Sequence, residues 1–180
     1  LVTIVAFSDF ECPFCSRVNA SIDEVKSTYG NDVRVVFRQR PLSFHADARP
    51  AAKAALAAHR QGKFWEMHDA IFAGQMEWNS QATTNPRKLF DLYAGRIGLD
   101  LTTYKSCFDT QKNLPKIQAN AAAGTERGVS STPTLVVGNK VYTGGLTFDQ
   151  IKALVDSLRA AAPATPTAPT GPAATDSVKK

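Results

Sequence analysis

The sequence predicts an α/β fold in which a βαβ unit and a ββα unit flank a block of helices. Three observations lead there. An apolar run, Leu1 to Phe7, is followed by apolar residues at helical spacing (Val18, Ile22, Val25, Tyr29) and then by a second strand pattern, Val33 to Arg38. From Ser43 to about Ser130 the pattern is helical, with no strand signal inside it. Two short β-rich runs, Thr134 to Val137 and Lys140 to Thr143, then flank Gly138-Asn139 and precede an amphipathic segment.

Composition agrees with a single globular domain: 180 residues, 43% apolar and 21% charged. No apolar run is long enough to span a membrane. The net charge is +5, but the basic residues are scattered. Arg34, Arg38 and Arg40 alternate along one strand and are expected on a solvated sheet edge. A nucleic-acid surface would need a denser basic cluster with aromatics, so no such partner is expected. The chain opens at Leu1 already inside a strand, so upstream residues are expected, and any signal peptide or anchor would lie there.

In chain order, the first strand and helix are joined to the second strand by the turn Gly30-Asn31-Asp32. Strand, helix and strand in this order make the two strands parallel. Pro41 ends the second strand. The helical block begins with an alanine- and leucine-rich stretch, Ala46 to Arg60, punctuated by Gly62. Phe64, Trp65, Met67, His68, Ile71 and Phe72 give a short helix a large apolar face. Trp78 and the polar run Asn79 to Asn85 read as a loop, with Asn85-Pro86 as an N-cap and first-turn proline. Leu89, Phe90, Leu92, Tyr93 and Ile97 continue that helix until Gly98. Asp100 caps the next, with Tyr104, Cys107 and Phe108, and Pro115 opens another that runs to Arg127. Thr147 caps the last helix, whose apolar face carries Phe148, Ile151, Leu154, Val155 and Leu158. Residues 1–42 and 130–160 are thus expected to form the sheet-bearing core and 43–129 an inserted helical subdomain. Alanine, proline and threonine dominate 161–180, which cannot bury enough apolar surface to offset ordering and are expected to be disordered.

The chemistry is expected at Cys12-Pro13-Phe14-Cys15, where the first strand hands over to the first helix. Pro13 suits the first turn, because its missing N–H would have no intrahelical partner there. Cys12 then lies beside unpaired N–H groups and the positive end of the helix dipole, which favour a thiolate. That makes Cys12 the nucleophile and Cys15, one turn further in, the shielded resolving thiol. The alternatives are a zinc site or a structural disulfide. Zinc needs a second ligand pair at matching spacing, and only Cys107 and three histidines remain, so no metal is expected. No cofactor is expected beyond the cysteine pair itself.

The chain resembles the DsbA-like thioredoxins of bacterial envelopes. The resemblance spans residues 1 to about 160. It is carried by Ser8-Asp9-Phe10-Glu11-Cys12-Pro13-Phe14-Cys15, Arg40-Pro41-Leu42 with His45, Gly62-Lys63-Phe64-Trp65-Glu66-Met67-His68, and Gly128-Val129 with Ser131-Thr132-Pro133-Thr134. It implies a thioredoxin fold with a helical insertion and disulfide exchange with proteins outside the cytoplasm, many members being donors. Thr132-Pro133 resembles the family's cis-proline loop, which would lie against the cysteine pair and leave the Thr132 backbone free to pair with an extended substrate.

Two departures matter. The family often has a carboxylate where this chain has Ala6, so proton transfer to and from the inner thiol is expected to be slower. The strongest oxidants have histidine where this chain has Phe14, so Cys12 should be less acidic, and its disulfide less oxidising, than theirs.

Other residues invite blander readings. Cys107 is expected to pack as a small hydrophobe. His45 reads as a cap or packing residue, and His68 as core-facing. Trp65, Phe72 and Trp78 are assigned to core packing rather than to a groove, and Glu11 to a solvated charge. The leading expectation is an extracytoplasmic oxidase, in the periplasm or cell envelope, acting on unfolded or reduced secreted chains. By resemblance it would be reoxidised by a membrane quinone-linked partner. A reductase or isomerase is the alternative within the same chemistry. No dimerisation segment is visible, so a monomer is expected. A redox-inert binding or chaperone module is the alternative of another class.

Overall fold

The computed structural model describes residues 1–161. Strand β1 (Val2–Ser8), helix α1 (Pro13–Tyr29) and strand β2 (Val33–Gln39) form the βαβ unit, with a 3-10 turn at Gly30–Asp32. Helices α2 (Ala48–His59), α3 (Phe64–Ala73), α4 (Gln75–Trp78), α5 (Pro86–Arg96), α6 (Leu101–Asp109) and α7 (Leu114–Glu126) follow. Strands β3 (Thr134–Val137) and β4 (Lys140–Thr143) and helix α8 (Phe148–Ala161) complete the chain. The expected disorder of 161–180 falls outside the described residues, except for Ala161, which ends α8.

The sheet order is β2-β1-β3-β4. β2 runs parallel to β1 in a register from Val2 opposite Val33 to Ser8 opposite Gln39. β3 is antiparallel to β1, and the β3–β4 hairpin closes at Gly138-Asn139, where Gly138 has φ 60°. This is the arrangement of the thioredoxin fold.

Period-two alternation in β1 serves two layers. Val2, Ile4 and Ala6 meet Val18, Ile22 and Val25 of α1 and Ile151 and Val155 of α8. Phe7, on the opposite face, meets Val129 and Val136. Helix α7 lies close on this side. A Cβ at Gly124 would stand 3.1 Å from the Phe7 ring, so the missing side chain lets the helix approach the strand.

The helices between β2 and β3 carry their own core. Seven alanines of α2 are buried (Ala48, Ala51, Ala52, Ala54, Ala55, Ala57, Ala58), and their small side chains let α3, α5 and α6 pack around it. Met67, Ile71, Trp78, Phe90 and Tyr104 fill the space, and Cys12 and Cys15 belong to the same cluster. The cysteine pair therefore roofs the helical core rather than the sheet core.

Three local expectations change. Trp78 is not in a loop: it ends α4, is fully buried and donates through Nε1 to the Ile71 carbonyl at 2.7 Å. Asn85 precedes α5, but its side chain makes no cap bond. Arg34 is exposed, as expected of a solvated edge, but Arg38 and Arg40, the latter just past β2, are not. Arg38 donates to Asn120 at 2.9 Å, and Arg40 donates to the Ala121 and Val129 carbonyls, because α7 covers that face. Two caps stand as expected: Asp100 accepts from Thr103 N–H at 2.7 Å, and Thr147 and Gln150 bond reciprocally as a capping box.

Candidate active site

Cys12 is the N-cap of α1, with extended backbone (φ −73°, ψ 119°). Its carbonyl accepts the first helical bonds, from Cys15 N–H at 3.0 Å and Ser16 N–H at 3.3 Å. Both cysteines of the motif are free thiols, Cys12 being 4% and Cys15 1% exposed. The pair is electrostatically asymmetric. A hydrogen bond from the Cys15 side chain, together with the N–H groups of Cys15 and Phe14, lowers Cys12 to about 6, against the opposing effect of its burial. Burial and the neighbouring Cys12 push Cys15 far up. The Asp9 N–H points at the Cys15 sulfur from 3.4 Å.

The loop before β3 closes the site from the other side. The Thr132-Pro133 bond is cis, and the Cys12 thiol faces the Thr132 carbonyl at 3.7 Å. Pro133 is tied down through its carbonyl, which accepts from Gly144 N–H at 2.9 Å. Beneath Cys15 lies a small cavity bordered by Ala6, Ser8, Asn19, His68 and Pro133, and no carboxylate is among its lining residues. Phe14 is exposed, with the Arg17 guanidinium 4.5 Å from its ring centre. Phe44 and Met76 are exposed and adjoin in the chain His45 and Gln75, which bond to residues 9–12.

Sequence reasoning located the motif and the proline loop but missed their supports. Glu11 is not a solvated charge. It is buried, and its two carboxylate oxygens accept the N–H groups of Asp47 and Ser80, each at 2.8 Å. His45 is neither a helix cap nor simple packing: its Nδ1 lies 2.8 Å from the buried Asp9 carboxylate, which also accepts from Leu42 and Glu11 N–H. Burial raises the Asp9 pKa, and these bonds oppose it. Gln75 donates to the carbonyls of Phe10 at 2.7 Å and Cys12 at 3.0 Å. Two acids between a strand and a helix, in a stretch otherwise apolar, were a signal for Asp9 and Glu11. Nothing in the sequence marks Gln75.

The remaining assignments divide. His68 is buried among Phe10, Phe37 and Phe72, as expected, with Nδ1 on Asp69 at 2.8 Å. Phe72 and Trp78 are core, whereas Trp65 reaches the surface. Cys107 is half-buried against the helical core, its sulfur accepting from Asn113 at 3.4 Å.

Chemically, the arrangement is an ionisable thiol beside a more deeply buried one, with the Thr132 carbonyl of the cis-proline loop facing the ionisable thiol. Known proteins share the fold. A thioredoxin-like oxidoreductase from Silicibacter pomeroyi DSS-3 superimposes with a TM-score of 0.76 at 30% identity, covering 89% of this chain and 88% of that one. Pseudomonas aeruginosa DsbA2 does so with a TM-score of 0.67 at 25% identity, covering 87% and 88%. A protein named Na(+)/H(+) antiporter NhaA 3 from Salinispora tropica is 36% identical over 162 residues, 89% of this chain and 24% of that protein. The chain spans about a quarter of the length of the curated relatives it matches. The family described as thioredoxin matches residues 1–157, and on that match the chain belongs to the thioredoxin family.

Proposed function

We propose that this chain catalyses protein thiol–disulfide exchange through Cys12 and Cys15, donating disulfides to reduced, unfolded secreted polypeptides. The observation that carries the reading is the asymmetric pair at the start of α1, with Cys12 facing the Thr132 carbonyl and Cys15 sealed beneath it. In the donating direction a client thiolate attacks Cys12 Sγ of the disulfide. The Cys12–Cys15 bond breaks, and Cys15 leaves as a thiolate that takes up a proton. A second client thiolate attacks the client sulfur of the mixed disulfide, closing the client's own disulfide and releasing Cys12 as a thiolate. The low pKa of Cys12 makes it the better leaving group in that second step. Thr132 and Pro133 offer the edge along which an extended client lies, and Phe14, Phe44 and Met76 supply apolar contact.

The cysteine pair must then be reoxidised. By the resemblance of its motifs to the DsbA-like proteins, the proposed reoxidant is a membrane quinone-linked partner in the cell envelope. The test uses a reduced, unfolded client with two cysteines. Wild type in its disulfide form should oxidise it and Cys12→Ser should not, whereas reduced Cys15→Ser, offered the client's disulfide form, should accumulate the mixed disulfide through Cys12. Mixed disulfides accumulating in Cys12→Ser instead would overturn the roles. Loss of the disulfide from the client's disulfide form, with no oxidation of the reduced client, would favour a reductase or isomerase.

The antiporter-named relatives support a second reading, in which this domain is carried by a membrane transporter and exchanges disulfides beside it. Fractionation of the full-length gene product decides: recovery with integral membrane proteins supports it, and recovery in the salt-washed fraction removes it.

A further inference from the structure

Residues 9–12 form the short bridge between the end of β1 and the start of α1, and they are held mainly by groups distant in sequence. Gln75 Nε2 donates to the carbonyls of Phe10 at 2.7 Å and Cys12 at 3.0 Å. The Glu11 carboxylate accepts from Ser80 N–H and from Asp47 N–H, each at 2.8 Å. Gln75 and Ser80 bracket the short helix α4, which Trp78 roots in the core through its fully buried ring and its bond to the Ile71 carbonyl. One turn of helix thus grips the bridge at both ends.

We propose that Gln75 and Glu11 are positioning residues, through which α4 holds the Cys12 peptide in the orientation that makes its sulfur reactive. The Cys12 carbonyl that accepts from Gln75 is the same one that accepts Cys15 and Ser16 N–H to start α1. Its orientation therefore fixes where the first N–H groups of the helix point relative to Cys12 Sγ. Gln75 does this with a neutral donor, adding no charge beside the thiolate. Glu11, next to Cys12 in the chain, is an anion that would repel the thiolate if it swung free. Its two N–H bonds to Asp47 and Ser80 disperse that charge and hold it away.

This rests on the exchange chemistry proposed above and is tested beside it. Gln75→Met removes both donors at similar bulk, Gln75→Asn withdraws them by one methylene, and Gln75→Glu sets a carboxylate against two carbonyls. Ile117→Ala, which packs against Ala52 and Leu56 away from the bridge, serves as a stability-matched control. The measurements are the pH dependence of Cys12 alkylation in each reduced protein and the redox potential of the pair. The Gln75 variants should alkylate about two- to fivefold more slowly at pH 6, with the midpoint moved up by up to about one unit, and their disulfides should be less oxidising. Ile117→Ala should melt lower with midpoint and potential unchanged. Gln75 variants that fold, melt lower and keep the wild-type midpoint and potential would overturn the positioning role. A wild type without an acidic thiol would overturn the exchange reading itself, so the two failures are separable.

Discussion

Cys12 differs from Cys15 because of where each sulfur stands, not because of its chemistry. Cys12 receives the Cys15 side chain and the opening N–H groups of α1, and Cys15 receives mostly apolar cover. A thiol lowered from 9.0 to about 6 in the folded state binds fewer protons than its unfolded counterpart between those values. Stability of the reduced protein should therefore rise from about pH 6 towards pH 9 and lose that contribution as pH falls through 6. The disulfide form has no such titration. The gap between the melting temperatures of the reduced and oxidised forms should widen in favour of the reduced form between pH 5 and pH 8, and scanning calorimetry of both forms across that range checks it. Phe14 offers a second handle. The Arg17 guanidinium lies over its ring, and Phe14→His would add an ionisable imidazole in the first turn of the helix, two residues from Cys12. Its expected effect is a lower Cys12 pKa together with a more oxidising disulfide, and iodoacetamide kinetics with glutathione equilibration would report both. A change in one without the other would break the link between thiolate stability and potential.

Between elements, Arg40, just past β2, shows how the chain holds the loop that faces the cysteines. Arg40 donates to the Ala121 carbonyl and Thr125 hydroxyl of α7, and to the Val129 carbonyl just before the Thr132-Pro133 loop. Arg40→Ala leaves those carbonyls without their charged donor and should destabilise by about 1–3 kcal/mol, read as a lower urea midpoint with an unchanged slope. Because Val129 leads into the substrate loop, exchange should slow as well, with the Cys12 alkylation midpoint unmoved. Asp9 works similarly from the other side. Its carboxylate joins the bridge to Leu42 and His45, so the turn after β2 and the bridge after β1 move as one unit.

At the scale of the whole molecule, the direction of exchange is a property of the free-energy difference between two redox forms. A thiolate stabilised in the reduced form pulls that form down relative to the disulfide, which favours donation of the disulfide. With helix N–H groups at Cys12 but an uncharged Phe14, the potential is expected between roughly −270 mV, the value for thioredoxin, and −120 mV, the value for the strongest oxidant. Equilibration against glutathione measures it, and the disulfide form should melt below the dithiol form. A potential near the thioredoxin value, with the disulfide form the more stable, would assign the protein to reduction. The position of the pair supports a strong dependence on folding, since Cys12 and Cys15 sit in the same apolar cluster as Trp78 and Phe90.

What the sequence determined by itself is whatever depends on neighbours along the chain. The period-two and helical spacings placed β1, α1, β2, the hairpin and α8, and Asp100 and Thr147 were legible as caps because a cap bonds residues two or three positions away. The place of Cys12 at the start of α1, with Cys15 one turn further in, was legible for the same reason, since that helix start is local. Tertiary structure alone decided the rest. Glu11 reads as a surface charge until Asp47 and Ser80 close over it, and Arg38 and Arg40 read as a wet edge until α7 covers them. Trp78 looked like a loop residue because its helix is a single turn, too short to show a period. Gln75 carried no signal, because an amide gains its meaning only from the carbonyls it meets, and those of Phe10 and Cys12 lie more than sixty residues away in the chain. Hydrogen bonds of that reach depend on how the elements pack, which no local pattern of residues encodes.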